Sequence, residues 1–365
     1  MPMNASPFKP ESTLQIQADK NYQESALSGV SRSFALTIPQ LPEALRASAA
    51  NAYLLCRVAD TIEDHVDPEG DRKQALFDEL IAAVDRHEAA PDFAKRLLHE
   101  LREDTPTAER ELVRNLSRVL RVAYSLPDAH SRAISRCVRI LSEGMARFER
   151  CKGPHGLDTL GVFDDYCYHV AGVVGEMLTT LFCDYSSCMN KHRSQLMKLA
   201  VQFGQGLQMT NILKDVWEDR ARGVCWLPRD VFAHYGCQLD PKANWAEDPA
   251  YQAGIGEMVA IAHGHLQAAQ AYTLMIPAQE KGLRRFCSWA VSMALHTLRR
   301  INRHRDYTAA EDVKISRSQL NRIIASSRFT VHRDWALTLS FSLAARGLPK
   351  PVGMTEEDYA AYDHR

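Results

Sequence analysis

"HRSQLMKLAVQFGQGLQMTNILKDVWED", residues 192–219, decides the fold class of this chain. Its apolar residues recur at spacings of three and four and cover much of the helical circumference, as in a helix surrounded by other helices. Asn211, Asp215 and Asp219 stand four residues apart in its second half, so one amide and two carboxylates share a helix face. The same periodicity runs from about Ser25 to Ala345, with Pro and Gly mostly confined to junctions such as "SLPDAH", "CKGPHGLD" and "LPRDVF". Alternating strand patterns are nearly absent, and the chain reads as all-α. No internal repeat, low-complexity block or long linker divides it, which predicts one helical domain over residues 21–345. Residues 1–20 and 346–365 read as loosely held ends.

A second acidic run lies upstream, in "RVADTIEDH" at residues 57–65. On a helix Asp60, Glu63 and Asp64 project from one side, and like charges at that spacing repel unless cations neutralise them. The flanks, "AYLLC" here and "LAVQFGQGLQMT" before the other run, predict largely buried helices, in which uncompensated carboxylates are costly. Hard divalent cations remove that cost. Mg²⁺ takes oxygen ligands and bridges one or two carboxylates to phosphate oxygens, so two such faces opposed across a cavity would hold a diphosphate. The alternative is that each run is a solvated face paired with Arg57, Lys214, Arg220 and Arg222.

Composition narrows the field. With 44 Lys and Arg against 45 Asp and Glu the formal net charge is −1, so no global basic field draws the chain to nucleic acid. The nine cysteines form neither a CxxC pair nor a zinc-ligand spacing and read as reduced core residues. The N-terminus carries no secretory pattern, which predicts a cytoplasmic setting. No apolar run reaches the roughly 20 residues needed to span a bilayer, and "WALTLSFSLAA", from Trp335, reads as a buried helix. No Walker loop, HExxH or GxSxG is present. "GQGLQM" has two glycines of a dinucleotide fingerprint but lies inside a helical run rather than after a strand.

Several segments resemble the squalene and phytoene synthases, the head-to-head prenyl transferases. "SRSFALTIPQLP" (31–42), the two acidic runs and "YCYHVAGVVG" (166–175) carry the resemblance, with weaker likeness in "GMARF" (144–148), "FCSWAVSMA" (286–294) and "VKISRSQ" (313–319). Together they cover about residues 25–325 in family order. The resemblance implies an all-α isoprenoid synthase bundle around a central cavity. The Asp-Thr-Ile-Glu-Asp form of the first acidic motif is similar to squalene synthases, whereas "DVWEDRARGVCWLPRD" is similar to phytoene synthases.

By motif position, the resemblance implies that Asp60, Glu63, Asp64, Asn211, Asp215 and Asp219 hold Mg²⁺, with Mn²⁺ as the substitute. Arg32, Arg57 and Lys214 would meet diphosphate or NADPH, and Lys314 and Arg317 would contact NADPH. In the last segment Ser316 replaces a family arginine. Tyr166 would lie near the first reaction centre, steering proton loss or a cation. Ser31, Ser33, Phe34, Tyr53, Val170, Val174, Gln208, Phe286 and Cys287 would line the substrate channel, the serines having helix capping as their commoner role.

The implied reaction condenses two farnesyl diphosphates to presqualene diphosphate and then reduces it to squalene with NADPH. Dehydrosqualene or phytoene synthesis, without reduction, is the alternative, and a non-catalytic assembly protein a remoter one. An oily product predicts peripheral contact with the inner face of a membrane.

Overall fold

The computed structural model describes residues 13–31, 33–67, 71–85 and 90–350. Arg32 and the outer parts of both chain ends therefore lie outside the described residues. Among those described there is no strand, and the chain is all-α, as its periodicity predicts. Contacts gather into two compact units, residues 1–39 with 43–142, and residues 40–42 with 143–365. Each is described by itself.

The first unit contains α1 (Thr13–Val30), α2 (Phe34–Thr37), α3 (Glu43–His65), α4 (Arg72–Asp85), α5 (Ala90–Glu100), α6 (Thr107–Arg114), α7 (Leu116–Ser125) and the start of α8 (Asp128–Glu149). The first helix begins inside the segment expected to be loosely held. Asp19 explains this: it is fully buried and takes Arg118 Nε at 2.8 Å and Arg121 Nε at 2.7 Å. Burial alone would raise the Asp19 pKa, but hydrogen bonds and charge from the two arginines hold it below the ordinary value. Asn51 on α3 donates to Gln23 Oε1 at 2.6 Å and to the Val119 carbonyl at 2.7 Å, tying α3 to α1 and α7.

The second unit continues through α9 (Leu160–Cys167), a π-helical turn (Tyr168–Gly172), α10 (Val173–Tyr185), α11 (Ser187–Asn190), α12 (Arg193–Ala221), α13 (Arg229–His234), α14 (Pro249–Met275), α15 (Lys281–Arg303), α16 (Ala310–Val313), α17 (Arg317–Thr330) and α18 (Asp334–Ala344). The 29-residue α12 is its axis, packed against α10, α14, α15 and the π turn. That close packing accounts for the Gly-x-Gly inside the helix. A Cβ on Gly204 would lie 2.2 Å from the Ala171 carbonyl oxygen, so only glycine lets the two backbones meet.

Two expectations change here. All nine cysteines are thiols, but Cys151 and Cys188 are exposed rather than core residues. And α18 is buried on one side only: Leu337, Phe341 and Ala344 face the core, while Trp335, Leu339 and Leu343 are exposed. The eleven-residue apolar run is long enough to satisfy two faces, and among the described residues only one of them is buried against the core.

Candidate active site

The expected site residues fall on both units, and each group is built from its own helix. In the first unit, α3 is buried along Leu54, Leu55, Val58, Ala59 and Ile62, which leaves Tyr53, Arg57, Asp60, Glu63 and Asp64 half-buried. Arg57 Nη1 lies 3.4 Å from Asp60 Oδ2, and its other arm binds buried Glu109 of α6. Glu109 also accepts from Thr61 Oγ1 at 3.1 Å and stands 3.4 Å from His65 Nε2. Burial works to lower the Arg57 pKa, but Asp60 and Glu109 outweigh it and hold the guanidinium charged.

Asp60 keeps 35% of its side chain exposed, yet its carboxyl is pushed up to about 6. Burial is the main cause. The Arg57 guanidinium works against it, and the charges of Asp64 and Glu109 add to it. A cation among these carboxylates would relieve the crowding. Lys73 stands beside this cluster, its Nζ donating to the Glu63 backbone carbonyl at 2.7 Å.

Upstream, Ser31 Oγ accepts the Phe34 N–H at 2.9 Å and so caps the short α2, whereas Ser33 is exposed and its side chain makes no cap. Phe34 packs on Tyr53 with ring centroids 4.7 Å apart, and the Tyr53 hydroxyl donates to the Val30 carbonyl at 3.1 Å. Burial raises the Tyr53 pKa.

In the second unit, α12 carries half-buried Gln208, exposed Asn211, half-buried Asp215 and buried Asp219 along one side. Lys214 Nζ lies 2.8 Å from Asp215 Oδ2, and Arg222 Nη2 lies 2.5 Å from Asp219 Oδ1. Arg220, by contrast, is not spent on the carboxylates. It donates to the Pro241 carbonyl at 2.7 Å and lies over the Trp245 ring at 4.0 Å. Glu218 accepts the Ala310 N–H at 2.9 Å and so anchors α16.

Tyr166, at the end of α9, is buried, stacked on Trp226 with centroids 4.1 Å apart and edge-on to Phe148 at 5.2 Å. The π turn follows directly and contains Val170; Val174 lies just beyond it on α10, both half-buried. Such turns replace one stretch of i→i+4 bonding and often mark functional positions. Phe286 and Cys287 on α15 are buried, Phe286 edge-on to Phe182 at 6.1 Å. Burial pushes the Cys287 thiol well up, which disfavours its thiolate form. Lys314 and Arg317 are both exposed and flank the start of α17, where the Ser316 hydroxyl accepts the Gln319 N–H at 3.2 Å as a cap.

Among the described residues no three His, Cys, Asp or Glu side chains converge into a ready metal cage. The donors on α3 and α12 are carboxylates and an amide, a hard oxygen set that suits Mg²⁺ or Mn²⁺ rather than zinc. Mg²⁺ commonly keeps several waters and takes only one or two protein carboxylates, so a closed cage is not required of it. A surface groove lined by Asp85, Tyr124, Arg132, Arg136 and Arg139 contains none of the expected residues.

Sequence reasoning missed Glu109, which holds Arg57 from 52 residues away, and it missed the π turn. It also missed a buried network in which Gln205 Nε2 donates to Asp164 Oδ1 at 3.0 Å and His265 Nε2 lies 3.7 Å from the same oxygen.

Comparison with known proteins follows the same lines. A family model described as squalene/phytoene synthase matches residues 27–319. Squalene synthase BSS of Botryococcus braunii is 30% identical over 287 residues, 77% of this chain and 58% of that protein. The squalene synthase of Eremothecium gossypii is 28% identical over 299 residues, 80% of this chain and 64% of that one. The chain thus spans 58% and 64% of the length of these two relatives. Among solved structures, a TcSQS complex with a ligand superposes with a TM-score of 0.69 at 24% identity, covering 95% of this chain and 96% of that one. A dehydrosqualene synthase in complex with a ligand gives 0.63 at 21% identity, covering 86% and 97%. The fold is the all-α isoprenoid synthase fold.

Proposed function

The chain belongs to the squalene/phytoene synthase family, and from that premise we propose that it joins two farnesyl diphosphates head to head into presqualene diphosphate and reduces this to squalene. The observation that carries the reading is that both acidic motifs are complete on largely buried helices, with an all-oxygen donor set and cations at hand. Asp60, Glu63 and Asp64 on α3 and Asn211, Asp215 and Asp219 on α12 would hold Mg²⁺. The ion, when bound, neutralises the diphosphate as it leaves.

Arg57, fixed by Glu109, and Lys214 present further positive charge to the leaving group. Tyr166, held face to face with Trp226, offers a fixed phenol and an aromatic environment to a cation. Val170, Val174, Phe286 and Cys287 supply the apolar surround that keeps water from the carbocation. Lys314 and Arg317 are two exposed cations three residues apart, a fit for the phosphates of NADPH, whose hydride would end the reaction. A non-reductive ending, giving dehydrosqualene or phytoene, is the second reading. Ser316, where family members carry arginine, favours it, because its hydroxyl is occupied in capping α17.

The hydrocarbon product must be handed to lipid. No helix among the described residues is long and apolar enough to cross a membrane. We place the protein peripherally, at a membrane surface.

The test incubates purified protein with farnesyl or geranylgeranyl diphosphate and Mg²⁺, with and without NADPH, and identifies the hydrocarbon by mass. Squalene with NADPH, and presqualene diphosphate or dehydrosqualene without it, supports the reading. No release of diphosphate from either substrate overturns it.

A further inference from the structure

We propose that the outer face of α18, with Phe329 at the end of α17, docks on an anionic lipid surface. This deepens the peripheral placement proposed above by naming the face. Among the described residues nine large hydrophobic side chains are exposed, and four of them lie between positions 329 and 343. Trp335, Leu339 and Leu343 are 66%, 51% and 55% exposed, and Phe329 is 78% exposed. The geometry of the helix makes the first three a continuous row. With about 100° of rotation per residue, positions 335, 339 and 343 fall together, opposite Leu337, Phe341 and Ala344, which anchor α18 to the core. A helix so anchored cannot turn its apolar row inward.

Charge identifies the occupant. Residues 317–350 contain six Lys and Arg (Arg317, Arg322, Arg328, Arg333, Arg346 and Lys350) against one acid, Asp334, in a chain whose overall charge is −1. That acid is already neutralised by buried Arg284, at 2.7 Å. Arg299 Nη1 donates to the Leu343 carbonyl at 3.2 Å, which brings a further cation to the row itself. Burial, then the charges of Arg303 and Arg346, lower the Arg299 pKa, as expected where cations crowd. A symmetric pairing of two copies through this face would set like charges against like. An anionic bilayer instead satisfies both features, taking Trp, Leu and Phe side chains into the acyl boundary and the arginines among its headgroups.

The experiment floats the full chain with phosphatidylglycerol-containing vesicles and with pure phosphatidylcholine vesicles. The parent should float with the anionic vesicles, with binding falling on the order of tenfold between low and high salt. L339E/L343E, checked for parent-like circular dichroism, should lose on the order of tenfold or more. Brominated lipids should quench tryptophan emission in the parent and not in Trp335→Phe. A parent that stays in the soluble fraction with both vesicles overturns the proposal, as does a double variant that floats like the parent. A concentration-dependent dimer in sedimentation, abolished by the double variant, would assign the face to self-association and overturn it too. Consumption of farnesyl diphosphate is measured in parallel. Activity without flotation sinks the lipid face and leaves the catalytic reading standing.

Discussion

Glu109→Gln alters the residue that positions Arg57 while leaving Asp60, Glu63, Asp64, Asn211, Asp215 and Asp219 unsubstituted. Glu109 is 4% exposed and is bound by Arg57 and Thr61, with His65 at 3.4 Å. Removing one partner of a buried ion pair costs ~3–5 kcal/mol. Two features reduce that figure: a quarter of the Arg57 side chain is exposed, at 25%, and glutamine can still accept its hydrogen bond. The expected loss of stability is therefore about 1–3 kcal/mol. Function should change in a specific direction. Without the Glu109 charge, Asp60, already 3.4 Å away, becomes the only carboxylate among the contacts described for Arg57, so the arginine competes with Mg²⁺ for it, an effect partly offset by the easier ionisation of Asp60 once the Glu109 charge is gone. Urea unfolding and a titration of diphosphate release against Mg²⁺ measure the two effects. Glu109→Gln should unfold at lower urea and need several-fold more Mg²⁺ for half-maximal rate, while Glu109→Asp recovers part of both. A glutamine variant with the parent's midpoint and the parent's Mg²⁺ curve would refute the reasoning.

Other outcomes follow from single contacts. Asp60→Asn and Asp215→Asn should each lower farnesyl diphosphate turnover by at least about tenfold, of the order expected from losing electrostatic stabilisation of a leaving group; product formation at the parent rate would remove that residue from the metal set. His265 is buried, and burial lowers its pKa to about 4 from 6.5. The fold therefore holds it neutral while the unfolded chain takes up a proton. The stability it contributes is complete above pH 6.5 and is lost as pH falls toward 4, by up to ~3 kcal/mol, less whatever the Asp164 carboxylate at 3.7 Å returns. Urea midpoints across that window should slope less in His265→Gln than in the parent. Gly204→Ala should destabilise by about 1–3 kcal/mol or more, since its new methyl would stand 2.2 Å from the Ala171 carbonyl oxygen; a calorimetric transition unmoved from the parent's would contradict that packing.

What the sequence reveals here is what short-range spacing encodes. The four-residue step of Asn211, Asp215 and Asp219, and the grouping of Asp60, Glu63 and Asp64, need only helical geometry to be read, and the flanking apolar residues announce that α3 and α12 are largely buried. The Gly-x-Gly at 204 was legible as something other than a nucleotide loop, but its cause, the Ala171 backbone, is 33 positions away and left no local trace. Glu109 is similar: in "PTAEREL" it looks like an ordinary first-turn acid, and only the fold brings Arg57, Thr61 and His65 to it. The π turn at Tyr168–Gly172 has no periodic signature, since five residues are too few to display one. On α18 the reverse happened. A uniformly apolar run predicts burial all round, and composition alone cannot say that the core would claim only one side.

The long helix α12 serves two purposes along one rod. Its glycine half is locked backbone to backbone, and its polar half carries Asn211, Asp215 and Asp219 with no hinge between them. The acidic row therefore inherits the stiffness of the interior. Thermal inactivation should then track melting of this unit rather than precede it, unlike an enzyme whose working groups ride on a loose lid that fails while the body survives.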